Sequence, residues 1–473
     1  MKTYQRILLL TILSSMLVAC VPGQSQPPTP LAIIITATPQ SPQMTNAPSV
    51  TSTPPSQTST SIANEQATAI PPSPVTIASP PVETLPSPTG LPTPNAIPTP
   101  QISSAARNTV RIALQSPTSG ESSAAGTGVR NGVDLAILQQ SKPLIDLGFN
   151  VELIPFDDQS RPEVGIANAQ AIVNDPASLC VVGHYNSGVT LAAQPLYAAV
   201  DLAQISPGST NPAVTDETTN VWRVVGRDDV QGTVAAQFAR DTLKAGVPTL
   251  FIDNTPYGRG IAQFFRRDAE VNGPDIVNFT SYDYEQAEID FAPFLEEIST
   301  LNPDLIFFAG SYERAGVFFK QARERSISAQ FLGSDTLDNP ELANVAGEAV
   351  NGMHFTTVAA PVSEFPQAAQ FAQDYRARYG QDAPPFSPES YDAATLCIRA
   401  IADASRANGG RFPTRTQVLE AMRRLPAFQG ISGNYRFDMN GDPLSAGYYV
   451  IRVNAQDWNA NSLVQRLIAG PPQ

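Results

Sequence analysis

The chain has few of the residues that hold metal ions or build nucleophilic active sites. Its 473 residues include two histidines and three cysteines, and no group of them has the spacing of a metal site. His184 and His354 are isolated, and neither stands near the acid pairs Asp157-Asp158 and Asp228-Asp229 in a pattern that builds a nucleophile. We therefore expect no metal, no cofactor and no enzymatic activity, with an exported enzyme as the alternative.

Positive charge is also scarce. The chain has 29 basic and 43 acidic residues, a formal net charge of −14. Only four charged residues precede residue 103, namely Lys2, Arg6, Glu65 and Glu83, so the full negative charge lies on the rest of the chain. An acidic domain repels polyanions, which argues against nucleic acid and anionic lipid head groups as partners.

The apolar run at residues 7–18 is too short for a stable membrane-spanning helix. It has about 12 residues, whereas a hydrocarbon core of ~30 Å requires about 20. Basic residues precede the run and a small residue follows it, as in a secretory signal peptide. The segment ends in Leu17-Val18-Ala19-Cys20, which resembles the lipobox of bacterial lipoproteins. The resemblance implies a signal peptide at 1–19 and a lipid anchor on Cys20. An ordinary secreted protein is the alternative.

Residues 20–102 are rich in proline, serine and threonine. Twenty of the 44 prolines lie between residues 21 and 100. Such a segment cannot bury enough apolar surface to offset the entropy lost on ordering, so its composition predicts a disordered tether. As extended polyproline II, about 80 residues would reach ~250 Å, which would let a folded domain clear a lipid surface.

The remaining chain alternates between strand-like and helical patterns. Short apolar runs typical of buried strands occur at 110–114, 151–156, 179–182, 249–252 and 305–308. Amphipathic stretches predict helices near 129–141, 163–175, 188–199, 230–244, 259–272, 290–300, 312–325, 364–378, 388–406 and 415–424. Apolar strands that alternate with helices indicate an α/β protein whose parallel sheets are covered on both faces. The length favours two such lobes.

Two further predictions concern pairing across the chain. Asn440-Gly441 predicts the turn of a C-terminal hairpin between 435–437 and 448–452. Cys180 and Cys397 each lie in an apolar stretch, which favours two buried free thiols, and a disulfide between them is the alternative.

Function is expected in the loops that follow the strands, because ligands of open parallel sheets bind beyond the carboxyl ends of the strands. The first loop carries Gly126-x-Gly128, but its spacing departs from the dinucleotide fingerprint, which argues against a nucleotide. The loops at 183–188 and 205–212 are rich in glycine and hydroxyl groups, and their backbone amides could hold a carboxylate. Helix capping and turn formation are the alternative role of these hydroxyls.

Together these loops resemble those of type I solute-binding proteins of the branched-chain amino acid (leucine/isoleucine/valine) family. The likeness runs from about residue 108 to the C-terminus. The landmarks, in order, are Ser119-Gly120, Asp157-Asp158 with Pro162, Gly183-His184 with Ser187, Ile205-Ser206-Pro207-Gly208-Ser209-Thr210-Asn211-Pro212, Arg223 with Asp228 and Gln231-Gly232, Tyr257-Gly258-Arg259-Gly260, Asp290-Phe291, Gly333-Ser334-Asp335, and Phe437-Asp438 with Gly441-Asp442.

The resemblance implies a two-lobed type I periplasmic-binding-protein fold with a multi-strand hinge. The implied limits are 103–226 with 353–436 for the first lobe, and 227–352 with 437–473 for the second.

The resemblance also implies which residues bind an amino acid between the lobes. Ser187 and Thr210, with nearby amides, would hold the α-carboxylate. The carbonyl of Gly208 or Ser209 would accept from the α-ammonium, Asp335 would pair with it, and Tyr257 would close on the ligand. The arrangement is chemically coherent, because a zwitterion is costly to desolvate unless both of its charges are met.

The chain departs from the family in the pocket for the ligand's side chain. The family's bulky aromatic in the first loop and its tyrosine after a strand of the second lobe fall here on Ala125 and Ser311, with Tyr312 adjacent. A cysteine pair found in some members is replaced by Ser160 and Asn186. The remaining candidate for the pocket wall is Tyr185. These changes predict a roomier, more polar pocket and do not support leucine specificity.

The function implied is that of an extracytoplasmic, lipid-anchored solute-binding protein. It would close around an amino acid or a similar small zwitterion and dock on the permease and ATPase subunits of an ABC importer. A ligand-sensing receptor on the same fold is the alternative, and it would require a separate signalling partner.

Overall fold

The computed structural model describes residues 108–472, except residues 217, 274–279, 286 and 360. The predicted signal peptide at 1–19, the lipid site Cys20 and the tether at 20–102 lie outside the described residues. None of the described helices is long and apolar enough to cross a membrane.

The strands form two main sheets. The first is fully parallel, in the order β2-β1-β3-β4-β5. The second has the order β14-β13-β10-β9-β8-β6-β7, in which only β13 and β14 run antiparallel to their neighbours. A separate two-stranded pair joins β11 and β12. The strands are β1 (Thr109–Ser116), β2 (Asn150–Asp157), β3 (Ser178–Val182), β4 (Ala203–Ser206), β5 (Val221–Arg223), β6 (Pro248–Asp253), β7 (Thr280–Tyr284), β8 (Leu305–Ala309), β9 (Gln330–Gly333), β10 (His354–Thr357), β11 (Phe428–Gln429), β12 (Asn434–Tyr435), β13 (Ala446–Arg452) and β14 (Ser462–Ala469).

The helices follow the strands in the predicted alternation. They are α1 (Ser123–Gln140), α2 (Lys142–Ile145), α3 (Pro162–Asn174), α4 (Ser187–Ala198), α5 (Ala213–Asp216), α6 (Asp228–Asp241), α7 (Pro256–Asn272), α8 (Ala292–Leu301), α9 (Tyr312–Glu324), α10 (Glu341–Ala346), α11 (Ala369–Tyr379), α12 (Ser387–Ala407) and α13 (Arg415–Arg423). Short 3₁₀ turns include Asp335–Leu337, directly after β9.

Both sheets are buried on both faces, as the near-continuous apolar strands predict. In β1, Ile112 and Leu114 enter one apolar cluster, and Ala113 between them enters another on the opposite face. In β8, Phe307 and Phe308 divide between two clusters in the same way. Side chains alternate along a strand, so each face needs its own layer of helices. The structure confirms the predicted α/β fold with parallel-sheet lobes.

The chain passes three times, within the described residues, between the second sheet and the lobe formed by the first sheet and its covering helices. The crossings follow β5, follow β10, and lie between β12 and β13. Strand β10 (His354–Thr357), placed in the first lobe by the sequence analysis, pairs in the second sheet. The lobe limits derived from the sequence stay a prediction.

The prediction of a C-terminal hairpin is wrong. Tyr435 pairs with Phe428, and β13 pairs with β10 and β14, so segments 435–437 and 448–452 do not form one hairpin. A tight turn does exist at Gly441, but it closes only a single bridge between Phe437 and Pro443. Strands of the large sheet are better partners for β13, because they bury both of its faces.

The preference for free thiols is also wrong. Cys180 of β3 and Cys397 of α12 form a disulfide, with their Cα atoms 5.9 Å apart. Both residues are fully buried between the first sheet and the helix that covers it. An apolar setting suits either state of a cysteine, so the local sequence did not distinguish them.

A buried acid in the hinge region gives a testable pH dependence. Glu389 is 3% exposed and lines a cavity of about 270 Å³ between the crossings. One of its carboxylate oxygens is buried without a hydrogen-bond partner among the described residues. Burial raises the pKa of Glu389 to about 8, and the charges of Asp392 and Asp338 add to the shift.

We expect Glu389→Gln to be more stable than the wild type at pH 9 and to lose this advantage at pH 4. The folded protein holds the Glu389 proton more tightly than the unfolded chain does. The contribution of the bound Glu389 proton to the free energy of unfolding is therefore complete below the ordinary glutamate pKa, and it is lost as the pH rises through about 8. Urea unfolding at both pH values should show a difference of at least about 1.4 kcal/mol, the equivalent of one pKa unit. The exposed Glu324→Gln controls for the lost charge, and equal pH profiles of wild type and Glu389→Gln would contradict the assignment.

Candidate functional site

The loops at the carboxyl ends of both sheets meet at one cleft. The first sheet contributes the loops after β1, β2, β3 and β4, and the second contributes those after β6, β8 and β9. Residues from both sheets line a pocket in this cleft: Glu121, Ser122, Ser160, Pro162, Asn186, Ser187, Gly188, Val189, Asp253, Thr255, Pro256, Tyr257, Ser311 and Thr336. This is the place where ligands of open parallel sheets bind.

Ser187 is the first residue of α4, which places its hydroxyl beside the unpaired amides of the helix start. Its oxygen accepts from the backbone amide of Asn211 at 3.2 Å, which leaves the hydroxyl proton for another acceptor. The Thr210 hydroxyl is buried and has no hydrogen-bond partner among the described residues. The two hydroxyls therefore belong to adjoining loops that share a hydrogen bond, and both have a proton to donate.

Arg223 orients the loop that carries Thr210. The guanidinium is fully buried, and it donates to the carbonyls of Ser209 at 2.9 Å and of Asn211 at 3.1 Å. Its Nε lies 2.6 Å from a carboxylate oxygen of Asp442, which is also buried. These bonds turn the loop carbonyls towards the guanidinium. The Ser209 carbonyl is thus already bonded to a cation, which leaves Gly208 as the better of the two predicted acceptors for an ammonium.

Ser209 and Gly208 also shape the loop. The Ser209 hydroxyl bonds to the carbonyl of His184 at 2.9 Å and to the hydroxyl of Thr190 at 2.7 Å, so its side chain has a structural role. A Cβ on Gly208 would lie 2.8 Å from the ring of Tyr185. Glycine is required there because the loop packs directly on that ring.

Asp335 lies opposite these loops, on the second sheet. It is 3% exposed, and its carboxylate accepts from the hydroxyl of Tyr257 and from the side-chain amide of Gln231 at 3.2 Å. Burial raises the pKa of Asp335 to about 6. The structure thus brings the predicted residues Asp335 and Tyr257 together in one buried cluster, held in place by Gln231, which also bonds to the carbonyl of Thr356 at 3.1 Å.

Asp228 is a site residue that the sequence analysis did not select. Both of its carboxylate oxygens are buried and without a hydrogen-bond partner among the described residues. Its backbone amide donates to the carbonyl of Thr210 at 2.9 Å. Burial and the charge of Asp335 raise the pKa of Asp228 well above its usual range. A buried acid without a partner indicates a missing cation or donor, because leaving it unpaired is costly.

The predicted wall residues lie in different surroundings. Ser311 lines the pocket, and Tyr185 packs edge-on against Phe386 with its pKa raised by burial and by the nearby charge of Asp335. Ala125 belongs to the apolar core of the first lobe, and Tyr312 belongs to that of the second. The first-loop residues that do line the pocket are Glu121 and Ser122, four and three positions before Ala125.

The sequence matches the model of a protein family described as periplasmic binding protein, over residues 109–458. The chain belongs to the periplasmic binding protein family. Among its relatives, the Leu/Ile/Val-binding protein homolog 1 of Brucella suis is 30% identical over 345 residues, which cover 72% of this chain and 90% of the relative. The leucine-, isoleucine-, valine-, threonine- and alanine-binding protein of Pseudomonas aeruginosa is 28% identical over 340 residues, which cover 72% and 88%.

Solved structures agree with this placement of the periplasmic binding protein. The leucine binding protein LivK of Thermotoga maritima is 29% identical and superposes with a TM-score of 0.68, covering 76% of this chain and 98% of LivK. The predicted resemblance to branched-chain amino acid binding proteins is therefore confirmed. The family consists of substrate-binding proteins and not of enzymes, and it is extracytoplasmic.

The cleft of this periplasmic binding protein is bridged by contacts between its two walls. The backbone amide of Ser122 donates to the carboxylate of Glu313 at 2.7 Å, and the Ser311 hydroxyl bonds to Glu121. On the other side of the pocket, the Asn211 side-chain amide donates to the carbonyl of Pro256 at 2.8 Å. These polar bridges hold the walls together and enclose the buried acids.

Proposed function

We propose that this solute-binding protein captures an amino acid, or a similar small zwitterion, and delivers it to the permease and ATPase subunits of an ABC importer. The proposal is supported by the chemistry at the two walls of the cleft. The first wall offers hydroxyl and amide donors, and the second offers a buried carboxylate. A zwitterion needs this combination, because each of its charges must be met when water is removed.

The observation that carries the proposal is the set of buried polar groups without partners. The Thr210 hydroxyl and both oxygens of Asp228 are neighbours, but neither group has a hydrogen bond of good geometry among the described residues, and Asp335 lies close enough for its charge to act on Asp228. We assign the α-carboxylate to Ser187, Thr210 and the amides at the start of α4. The α-ammonium is assigned to Asp335, with Tyr257 and the Gly208 carbonyl beside it.

Capture would proceed by hinge closure. A ligand that contacts both walls stabilises the closed form by its difference in affinity for the two forms. The bridges from Ser122 to Glu313 and from Asn211 to Pro256 would form in the same step. The importer would then recognise the closed form.

A thermal-shift screen of the purified protein against the amino acids tests this function. A binder raises apparent stability by RT ln(1 + [L]/Kd), so about 2.7 kcal/mol is expected at a concentration of 100 Kd. For the best amino acid, the matching amine without its carboxylate and the matching acid without its ammonium should both be inactive. Stabilisation by either of these analogues, or by no amino acid at all, would contradict the proposal.

We also propose that the protein is anchored through a lipid on Cys20. The support is the sequence Leu17-Val18-Ala19-Cys20 at the end of the predicted signal peptide. We expect Cys20→Ala to release the protein from membranes or to block its processing, because the thioether cannot form. Fractionation of cells followed by immunoblotting measures this. The matched control is Ser25→Ala, which leaves the motif intact, and membrane-bound Cys20→Ala at wild-type levels would contradict the anchor.

A further inference from the structure

The pocket has an acidic end, lined by Glu121 and Asp253. Glu121 reaches it from the first wall, and Asp253, at the end of β6, reaches it from the second. Asp253 is 5% exposed, and one of its oxygens accepts from the Thr255 hydroxyl at 2.5 Å. Glu121 accepts from the Ser311 hydroxyl. Two carboxylates on opposite walls therefore face the space where the side chain of the ligand would lie.

Two other polar groups near this end, Tyr284 and Glu313, have a buried oxygen without a hydrogen-bond partner among the described residues. The Tyr284 hydroxyl packs directly on Gly310, since a Cβ added to Gly310 would lie 2.0 Å from the hydroxyl oxygen. Gly310 precedes Ser311 of the pocket wall, and the charges of Asp253 and Glu121 both act on Tyr284.

The positive charge at this end is smaller than the negative charge. Arg314 approaches Glu121, with its Nε 3.9 Å from the carboxylate. Among the described residues at this end, three carboxylates outnumber this guanidinium, and they belong to Glu121, Asp253 and Glu313. Burial raises the pKa of Asp253 to about 7, and the charge of Glu121 adds to the shift. Raised pKa values of this kind arise where carboxylates lack a cation that would favour their ionised form.

An aliphatic side chain would fit this end poorly. A leucine side chain would cover the carboxylates of Asp253 and Glu121 and would offer them no hydrogen bond. Buried polar groups left without partners penalise a ligand that cannot bond to them. A cationic side chain would instead supply the missing donors and the missing charge, in charge-assisted bonds.

We propose, on the basis of the amino-acid role given above, that the ligand is an amino acid with a cationic side chain, whose ammonium or guanidinium binds between Glu121 and Asp253. These two acids are then the residues that determine specificity. They lie on opposite walls, so the side chain of the ligand would also help to close the cleft.

Calorimetry with matched ligand pairs tests this inference. L-arginine and L-citrulline differ in charge and are nearly equal in shape, and L-lysine and L-norleucine form a second such pair. We expect the cationic member of at least one pair to bind about 30-fold more tightly, as for a desolvated charge pair of about 2 kcal/mol. Glu121→Gln and Asp253→Asn should each reduce this preference by about tenfold or more. The exposed Glu152→Gln, which removes the same charge far from the cleft, should leave it unchanged.

The outcomes separate the two proposals. If L-leucine or L-norleucine binds most tightly, the cationic side chain is wrong while the amino-acid function stands. If a cationic amino acid binds best but Glu121→Gln and Asp253→Asn keep the full preference, the assignment of the subsite is wrong. If no amino acid produces binding heat, the proposed function itself fails.

Discussion

Replacing Asp335 by asparagine should weaken amino-acid binding by about 2–5 kcal/mol, the usual cost of leaving one member of a desolvated charge pair without its partner. The carboxylate is 3% exposed and is already fixed by Tyr257 and Gln231, so the substitution removes charge and keeps shape. Asp335→Ala should cost slightly more, because it also removes the acceptor for these two donors. Calorimetry with the best ligand from the screen measures both losses.

Asp338→Asn is the matched control for this prediction. Asp338 is another buried acid, three residues further on, and its pKa is raised by burial to about 7. Its carboxylate bonds to the side chains of Trp458 and Thr357 and not to Tyr257 or Gln231, so its substitution should leave affinity near the wild-type value. Unchanged affinity in Asp335→Asn would show that no ammonium binds there, and the amino-acid assignment would then fail even though the family membership stands.

Substitutions at the site of the ligand's carboxylate should reduce the binding free energy less than Asp335→Asn does. Ser187→Ala and Thr210→Ala each remove one of several donors, so each should cost about 1–3 kcal/mol of binding. A loss as large as that of Asp335→Asn at either position would contradict a carboxylate shared among several donors.

Replacing Arg223 by methionine should destabilise the protein by about 3–5 kcal/mol, the range found when a buried ion pair loses one partner. The substitution leaves Asp442 with Arg227, at 2.6 Å, as its one cationic partner among the described residues, and it frees the carbonyls of Ser209 and Asn211. Because these carbonyls set the position of Thr210, ligand affinity should fall as well. Urea unfolding and calorimetry measure the two effects.

Two variants make the test of Arg223 specific. Arg223→Lys keeps the charge but loses the planar fork that serves several acceptors at once, so an intermediate loss of stability is expected. Arg376→Met breaks an ion pair with Asp382 in which both side chains are exposed, and it should cost less than about 1 kcal/mol. An Arg223→Met protein that unfolds at the wild-type urea concentration would show that the loop is held by other bonds.

The sequence predicted the long apolar strands better than the short inner strands β4, β9 and β10 or the polar edge strands β7 and β14. The strands 110–114, 249–252 and 305–308 are central and buried on both faces, so their apolar runs were unambiguous. Strand β7 reads Thr-Ser-Tyr-Asp-Tyr at the edge of its sheet, and β14 alternates exposed and half-buried residues at the other edge. Edge strands carry polar side chains, so their pattern is not that of a buried strand.

Site residues could be predicted from the sequence where their chemical type identifies them. They could not be predicted where the exact position along a helix or loop determines which residue faces the site. Asp335 and Tyr257 were selected from the sequence, and the structure brings them together. Asp228 and Asp229 are adjacent acids on one helix turn, and nothing in the sequence indicates which one faces the buried cluster. Glu121 lies four residues from Ala125 in a loop, where a short shift in alignment changes the residue assigned to the pocket wall.

The disulfide between Cys180 and Cys397 encloses most of the second lobe in a covalent loop. The two cysteines are 217 residues apart in sequence, and strands β6 to β10 all lie between them. A protease that cuts anywhere in that interval would leave a single molecule, which would separate into two fragments only after reduction. The same bond limits how far the chain of the second lobe can spread when it unfolds, so local opening there would keep both ends close together and favour refolding.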